Sequence, residues 1–234
     1  MWSRDRPPDG AAFSADARRR VREIVRGRPR LSRLPPRPTS GYNRSVSESA
    51  TLKVAFIGSH GVGKTSLCYG LAARLKRRDI SLEVVHEVAR RCPLPLNEQT
   101  SLAAQAWILH SQIADELVAQ ARYPVVICDR SILDNYVYLL LATGHQDCLE
   151  PLLDDWIGTY DLLVHVPIVD RPSPDGVRAE DPGFQHAVDE RLDRELERRG
   201  LRPVRLDPSD RTRWIDGVEA VVWDRLRPPQ LPLL

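Results

Sequence analysis

No stretch of the 234-residue chain approaches the ~18 consecutive apolar residues that a membrane-spanning helix needs. The N-terminus lacks the apolar core of a secretory signal, and Asp5 and Asp9 argue against a transit peptide. A soluble, cytoplasmic protein is the expectation. Cysteine is sparse: Cys68, Cys92, Cys128 and Cys148 are dispersed with no C-x-x-C pair, which makes a reduced, cytosolic compartment the default expectation. Cys68 and Cys128 fall within apolar elements, where a free thiol serves as a small core residue. The six histidines are scattered and form no zinc set.

The small total charge of +2 hides an asymmetry. Residues 1–50 carry twelve arginines against five acidic residues, a net of +7, which leaves −5 on the remainder. Residues 1–48 read as a basic Arg/Pro-rich tail, as in Leu34-Pro35-Pro36-Arg37-Pro38, with too little apolar surface to offset the entropy of ordering. One short piece has helical spacing, with Ser14 as N-cap, Ala17, Val21, Ile24 and Val25 on one side, and Arg18, Arg19, Arg20, Arg22 and Arg26 around it. A basic amphipathic helix of that kind docks on nucleic acid, an acidic protein or anionic lipid. No function is assigned to it.

Residues 49–234 have the composition of one α/β domain. Strands are expected at 52–57, 82–86, 125–128, 161–166 and 203–206, alternating with helices, which predicts a five-stranded parallel sheet covered on both faces. The longest helix spans about 100–121, with Leu102, Ala106, Leu109, Ile113 and Leu117 as its apolar stripe. Ser131-Ile132-Leu133-Asp134 matches the S-x-x-[DE] box that opens a helix. Further helices are expected at about 147–157, 184–199 and around Trp214, Val218, Val221 and Val222.

The most informative run is Gly58-Ser59-His60-Gly61-Val62-Gly63-Lys64-Thr65, which fits G-x-x-x-x-G-K-[ST] between the first strand and a helix. Bare backbone amides, a helix N-terminus and a cation together make a cradle for a phosphate chain. Lys64 is expected to reach the β- and γ-phosphates of ATP, Thr65 to hold Mg²⁺, and Ser66 to contact the α-phosphate. In an open α/β sheet the ligand lies beyond the carboxyl ends of the strands. The second strand ends in His86-Glu87-Val88-Ala89-Arg90 and the third in Asp129-Arg130-Ser131. Asp129 is the expected magnesium partner and Arg130 a phosphate ligand. Glu87 is a candidate to orient and deprotonate an acceptor hydroxyl, or else a solvated carboxylate at a strand end. Arg90 either pairs with Glu87 or binds substrate. Between the fourth strand and its helix, a charged Pro/Gly-rich stretch, 170–183, offers Arg178, with Arg171 as the alternative, to close over the phosphates.

The segments A-F-I-G-S-H-G-V-G-K-T-S, H-E-V-A-R, V-I-C-D-R-S-I-L-D-N-Y-V-Y and P-I-V-D-R-P-S-P-D-G-V-R together resemble an AAA-type ATP-binding family that includes the ribosylnicotinamide kinase domain of the NAD-biosynthesis regulator. The layout is also similar to thymidylate and deoxynucleoside kinases. This resemblance spans about residues 52–226. It implies a P-loop NTPase fold with a kinase-like lid, ATP and Mg²⁺ as cofactors, and a small-molecule acceptor. By the same resemblance, Lys64, Thr65, Asp129, Arg130 and Arg178 take nucleotide, metal and lid roles. Glu87 takes an acceptor-side role, and Gln105, Trp107, Asp134, Asn135 and Tyr136 wall the acceptor pocket. A kinase acting on a nucleoside-like or nucleotide acceptor is the leading expectation. The alternative is a nucleotide-dependent regulatory module with little transfer. A GTPase is disfavoured, since no N-K-x-D guanine-reading element occurs.

Overall fold

The computed structural model describes residues 51–96, 100–170 and 181–226. The basic helix expected after Ser14, and Arg171 and Arg178, lie outside them. The expected sheet is there, with five parallel strands in the order β2-β3-β1-β4-β5: β1 Leu52–Ile57, β2 Leu82–Val85, β3 Val125–Asp129, β4 Leu162–His165 and β5 Val204–Arg205. The helices are α1 Lys64–Lys76, α2 Leu102–Gln120, α3 Ile132–Thr143, α4 Glu150–Ile157, α5 Pro182–Arg198 and α6 Trp214–Leu226. Among the described residues no helix is long and apolar enough to cross a membrane.

β1 is central because every one of its residues can be buried. Side chains alternate across the pleat, so Leu52, Val54 and Phe56 enter one core with α1 and α6. Ala55 and Ile57 point to the opposite face, which α2 to α5 cover. Lys53 shares that second face and is fully buried. Its ammonium meets Glu116 Oε2 of α2 at 2.8 Å, bonds Thr159, and lies 4.2 Å from the centroid of Tyr160 and 4.7 Å from that of Trp156. Glu116 also accepts from Gln112 Nε2, Trp156 Nε1 and Tyr160 Oη at 2.6–2.8 Å. Both buried charges are therefore paired and hydrogen-bonded, the condition under which a charge is tolerated in a core.

That pair corrects the expected stripe of α2. Leu102 and Leu117 are about half exposed, at 45% and 53%, while Ala104, Gln105, Ile108, Leu109, Gln112, Glu116 and Ala119 are buried. Lys53 fixes the rotation of the helix by requiring Glu116 beneath it. Other boundaries shift for local reasons. α5 begins at Pro182, two residues earlier than expected, because Asp181 caps Gly183 and Phe184 and proline suits the first helical position. β2 stops at Val85, and His86 lies outside it, exposed beside Tyr69.

Candidate nucleotide-phosphate site

The turn from β1 into α1 needs three left-handed glycines: Gly58 at φ 136°, Gly61 at 75° and Gly63 at 96°. Gly58 is the most constrained, since a Cβ there would sit 2.6 Å from the Val166 carbonyl oxygen. Gly58→Ala is therefore expected to cost about 3 kcal/mol and to lower the melting temperature in a thermal scan. An unchanged melting curve would mean that β4 is not held this closely against the loop.

The loop is anchored from two sides. Asp134 Oδ1 accepts the Gly58 amide at 2.9 Å, while its Oδ2 takes Ser131 N and Oγ at 2.9 and 2.7 Å. The expected capping box of α3 forms, and its carboxylate also fastens the first residue of the loop. From α5, the Gln185 side chain donates to the His60 carbonyl and its own carbonyl accepts from Ser59 Oγ, both at 2.8 Å. Lys64 is buried, and its ammonium donates to the Gly58 carbonyl at 2.8 Å and to that of Ser59. Burial, with Arg130 adding to it, brings Lys64 down to about 7, against the pull of Asp134, Asp129 and Glu87.

Strand ends bring the acidic groups to the same place. Thr65 Oγ1 donates to Asp129 Oδ2 at 2.6 Å, which joins the first turn of α1 to the tip of β3. Asp129 is 3% exposed and Glu87 7%. After Asp129 the chain turns through Arg130 at φ 95°, a conformation that non-glycine residues avoid and that neighbours must hold. Gln112 Nε2 contacts the Arg130 carbonyl at 3.3 Å, and Arg130 Nε donates to Glu87 Oε1 at 2.8 Å. Glu87 Oε2 receives Arg90 Nε at 2.9 Å, so one carboxylate bridges a buried and an exposed guanidinium. Arg130 Nη1 is buried with no hydrogen-bond partner among the described residues.

Lys64, Thr65, Asp129, Arg130, Glu87 and Arg90 thus form one connected group around the loop. Val62 is buried in the core beneath it, whereas Ser66 is exposed on the first turn of α1. Gln105 is buried on α2 and donates to Thr100 Oγ1, and Trp107 is half-buried on the same helix. Asn135 is buried next to Asp134 on α3. Tyr136 stands apart from them. Its hydroxyl donates to Glu150 Oε1 at 2.5 Å and meets His145 Nδ1 at 3.2 Å, on the side of α3 away from the loop. Tyr138, further along the same helix, reaches the loop instead, with its hydroxyl 3.1 Å from His60 Nδ1. A signal for this exists in the spacing: Tyr138 follows Asp134 by four residues and so shares its face, whereas Tyr136 does not. Gln185 and Arg211 carry no motif. Arg211, paired with Asp170 at 2.7 Å, comes within 3.5 Å of where a Cβ on Gly63 would lie.

Residues 53–213 match the family model described as AAA domain. No curated protein matches the chain. Among solved structures, the chain is similar to a NadR protein in complex with NAD and AMP-PNP, with TM-score 0.61 and 22% identity over 79% of this chain and 52% of that one. A NadR protein in complex with NR gives TM-score 0.60 and 23% identity over 79% and 54%. The chain thus spans about half the length of these structures, and the likeness is one of fold. With the phosphate-type loop in place on a five-stranded parallel sheet, and more than two thirds of its length matched, the chain belongs to the AAA domain family.

Proposed function

We propose that the protein is an ATP- and Mg²⁺-dependent kinase that transfers the γ-phosphoryl group to a nucleoside-like or nucleotide acceptor. One observation carries this reading: the Thr65–Asp129 pair and the Glu87–Arg130 pair flank the same glycine-lined loop. A loop that only bound nucleotide would need the first pair alone. The second adds a carboxylate and an unsatisfied guanidinium nitrogen on the side where an acceptor would approach.

A hydroxyl and a carboxylate oxygen 2.6 Å apart suit a hard cation such as Mg²⁺. Thr65 and Asp129 would hold it, and its other ligands would come from phosphate oxygens and water. When bound, the ion supplies neutralisation of charge between the phosphates. The amides of residues 59–65 bind the phosphate chain, and Lys64 leaves the carbonyls of Gly58 and Ser59 for a phosphoryl oxygen. Arg130 Nη1 gains its missing acceptor from a phosphoryl or acceptor oxygen. Both oxygens of Glu87 carry guanidinium donors, so its role in this reading is to hold Arg130 and Arg90 and orient the acceptor hydroxyl, whose proton is lost late in a loose transition state. Arg178 is the proposed lid arginine and Gln105 and Trp107 are the proposed acceptor wall.

The similar NadR structures were obtained with AMP-PNP, NAD and NR, which supports a nucleotide donor and a ribonucleoside-like acceptor. Purified protein with ATP, Mg²⁺ and a panel of nucleosides, nucleotides and ribosylnicotinamide is expected to yield ADP and one phosphorylated product. Slow ATP hydrolysis with no product across the panel would instead favour a nucleotide-dependent regulatory module. Asp129→Asn is expected to raise the Mg²⁺ concentration needed for half-maximal turnover at least about tenfold. An unaltered metal titration would remove Asp129 from the cation site.

A further inference from the structure

The residues around His60 join the two halves of the site. The His60 ring is 2% exposed and packs against Phe184 of α5, with centroids 5.8 Å apart. Phe184 in turn meets the Tyr138 ring edge-on at 6.0 Å. The Tyr138 hydroxyl is 3.1 Å from His60 Nδ1, and the Arg130 guanidinium carbon lies 5.0 Å from the centroid of the same ring. Arg130 continues to Glu87 and Arg90. An unbroken line of packed and bonded side chains therefore runs from the third residue of the loop to the guanidinium on the acceptor side.

The main chain of His60 is pinned, since its carbonyl is held by Gln185. In the structure Lys64 occupies the carbonyls of Gly58 and Ser59, immediately before His60. A phosphate that draws Lys64 away releases both carbonyls and changes the peptides leading into His60. The backbone is tethered on its far side by Gln185, and the ring on its near side is bonded to Tyr138. Arg130 holds a left-handed backbone with one buried donor unmatched, and its guanidinium rests on Glu87 and the face of Tyr138.

Building on the nucleotide reading above, we propose that Tyr138 is a positioning residue that couples filling of the phosphate loop to the placement of Arg130, through the hydroxyl contact with His60. Nucleotide binding and readiness of the acceptor side are then one event. Such coupling is a free energy between two sites and is established only by measuring one site while the other is filled.

The test uses the full chain labelled with ¹⁵N-arginine, with the Arg130 Nε–Hε resonance assigned by its disappearance in Arg130→Lys. AMP-PNP with Mg²⁺ is titrated while calorimetry on the same samples gives its Kd. In the wild type the resonance is expected to move along the binding isotherm. Tyr138→Phe keeps the ring against Arg130 and Phe184 but removes the hydroxyl together with its direct bond to Arg130, so the variant at His60 is the one that isolates the His60 contact. It is expected to bind AMP-PNP within about threefold of the wild type, as a site outside the loop does, and to lose most of the Arg130 shift. His60→Phe, which keeps the stacking and deletes the hydrogen bond, is expected to lose the shift as well. A full Arg130 shift in both variants overturns the coupling while leaving nucleotide binding intact. No calorimetric binding to the wild type would sink the nucleotide reading, and the coupling with it.

Discussion

Lys64→Ala is expected to reduce phosphoryl transfer at least about a thousandfold, the scale on which a preorganised charge at a reacting phosphate acts. The same change is expected to leave the fold intact or more stable at pH 7. Lys64 is a buried ammonium held by two main-chain carbonyls, and burial has brought it down to about 7. Removing the desolvated charge relieves a cost that matches or exceeds the loss of two donors to the Gly58 and Ser59 carbonyls. A substitution that abolishes turnover while the melting temperature holds or rises separates function from stability at one atom. Loss of both together would show that the ammonium is part of the scaffold.

The pH dependence follows from the same group. Its folded value lies below the ordinary 10.5, so between about 7 and 10.5 the unfolded chain binds the extra proton. Lys64 therefore makes stability rise as pH climbs through that window, and the cost of its buried charge is fully present once pH falls below about 7. Phosphate binding has the opposite preference, because a phosphate chain requires the charged form. Above pH 7 nucleotide binding must take up a proton, and apparent affinity is expected to fall by up to about tenfold per pH unit. Calorimetry at about pH 8.5, inside that window, in buffers of different ionisation enthalpy reads the uptake directly. Lys64→Arg, whose charge does not titrate in this range, is expected to flatten the profile. A wild-type profile already flat from about pH 7 to 9 would place the ammonium in a wetter setting than the structure shows.

The second large effect is expected from Glu87→Ala. Arg130 is 4% exposed, its Nε depends on Glu87 at 2.8 Å, and its Nη1 has no partner among the described residues. Burial makes its charge costly, and the carboxylates of Glu87, Asp134 and Asp129 offset that cost, holding its pKa well above the ordinary arginine value. Deleting Glu87 strands that charge in the interior, which typically costs about 3–5 kcal/mol. For a domain of this size that is on the order of 10 °C in melting temperature. Glu87→Ala with Arg130→Met in the same chain is expected to recover most of the stability and none of the transfer activity. If the single substitution melts within a degree or two of the wild type, the pair is more hydrated than its burial indicates.

Much of the fold, and the gathering of the candidate residues around the loop, is legible in the sequence, for definite reasons. The loop is readable because glycines, a lysine and a threonine at fixed spacing between an apolar strand and a helix have few other uses. Strand ends are readable because a continuous apolar run such as Val125-Val126-Ile127-Cys128 leaves its polar successor, Asp129, at the sheet's rim. The facing of α2 is not readable: an apolar-stripe rule selects Leu102 and Leu117, whereas the helix is turned by an ion pair with Lys53, a residue 63 positions earlier. The family resemblance points to Tyr136 for the acceptor wall and is silent on Tyr138, whose hydroxyl makes the contact with the loop while that of Tyr136 meets Glu150, since residues two apart on a helix face nearly opposite ways. Gln185 and Arg211 reach the loop through tertiary packing that no local pattern announces.

The Lys53–Glu116 pair has one more consequence. A parallel strand flanked by apolar neighbours on both sides could slide by two positions and still bury hydrophobic surface on the proper faces. Here such a slip would pull the ammonium out of its carboxylate and aromatic box and detach the Lys53 amide from Asp161 Oδ2, now 2.8 Å away. The lysine near the foot of β1 acts as a detent, and the height at which the strand delivers Gly58 above the sheet is fixed five residues below it.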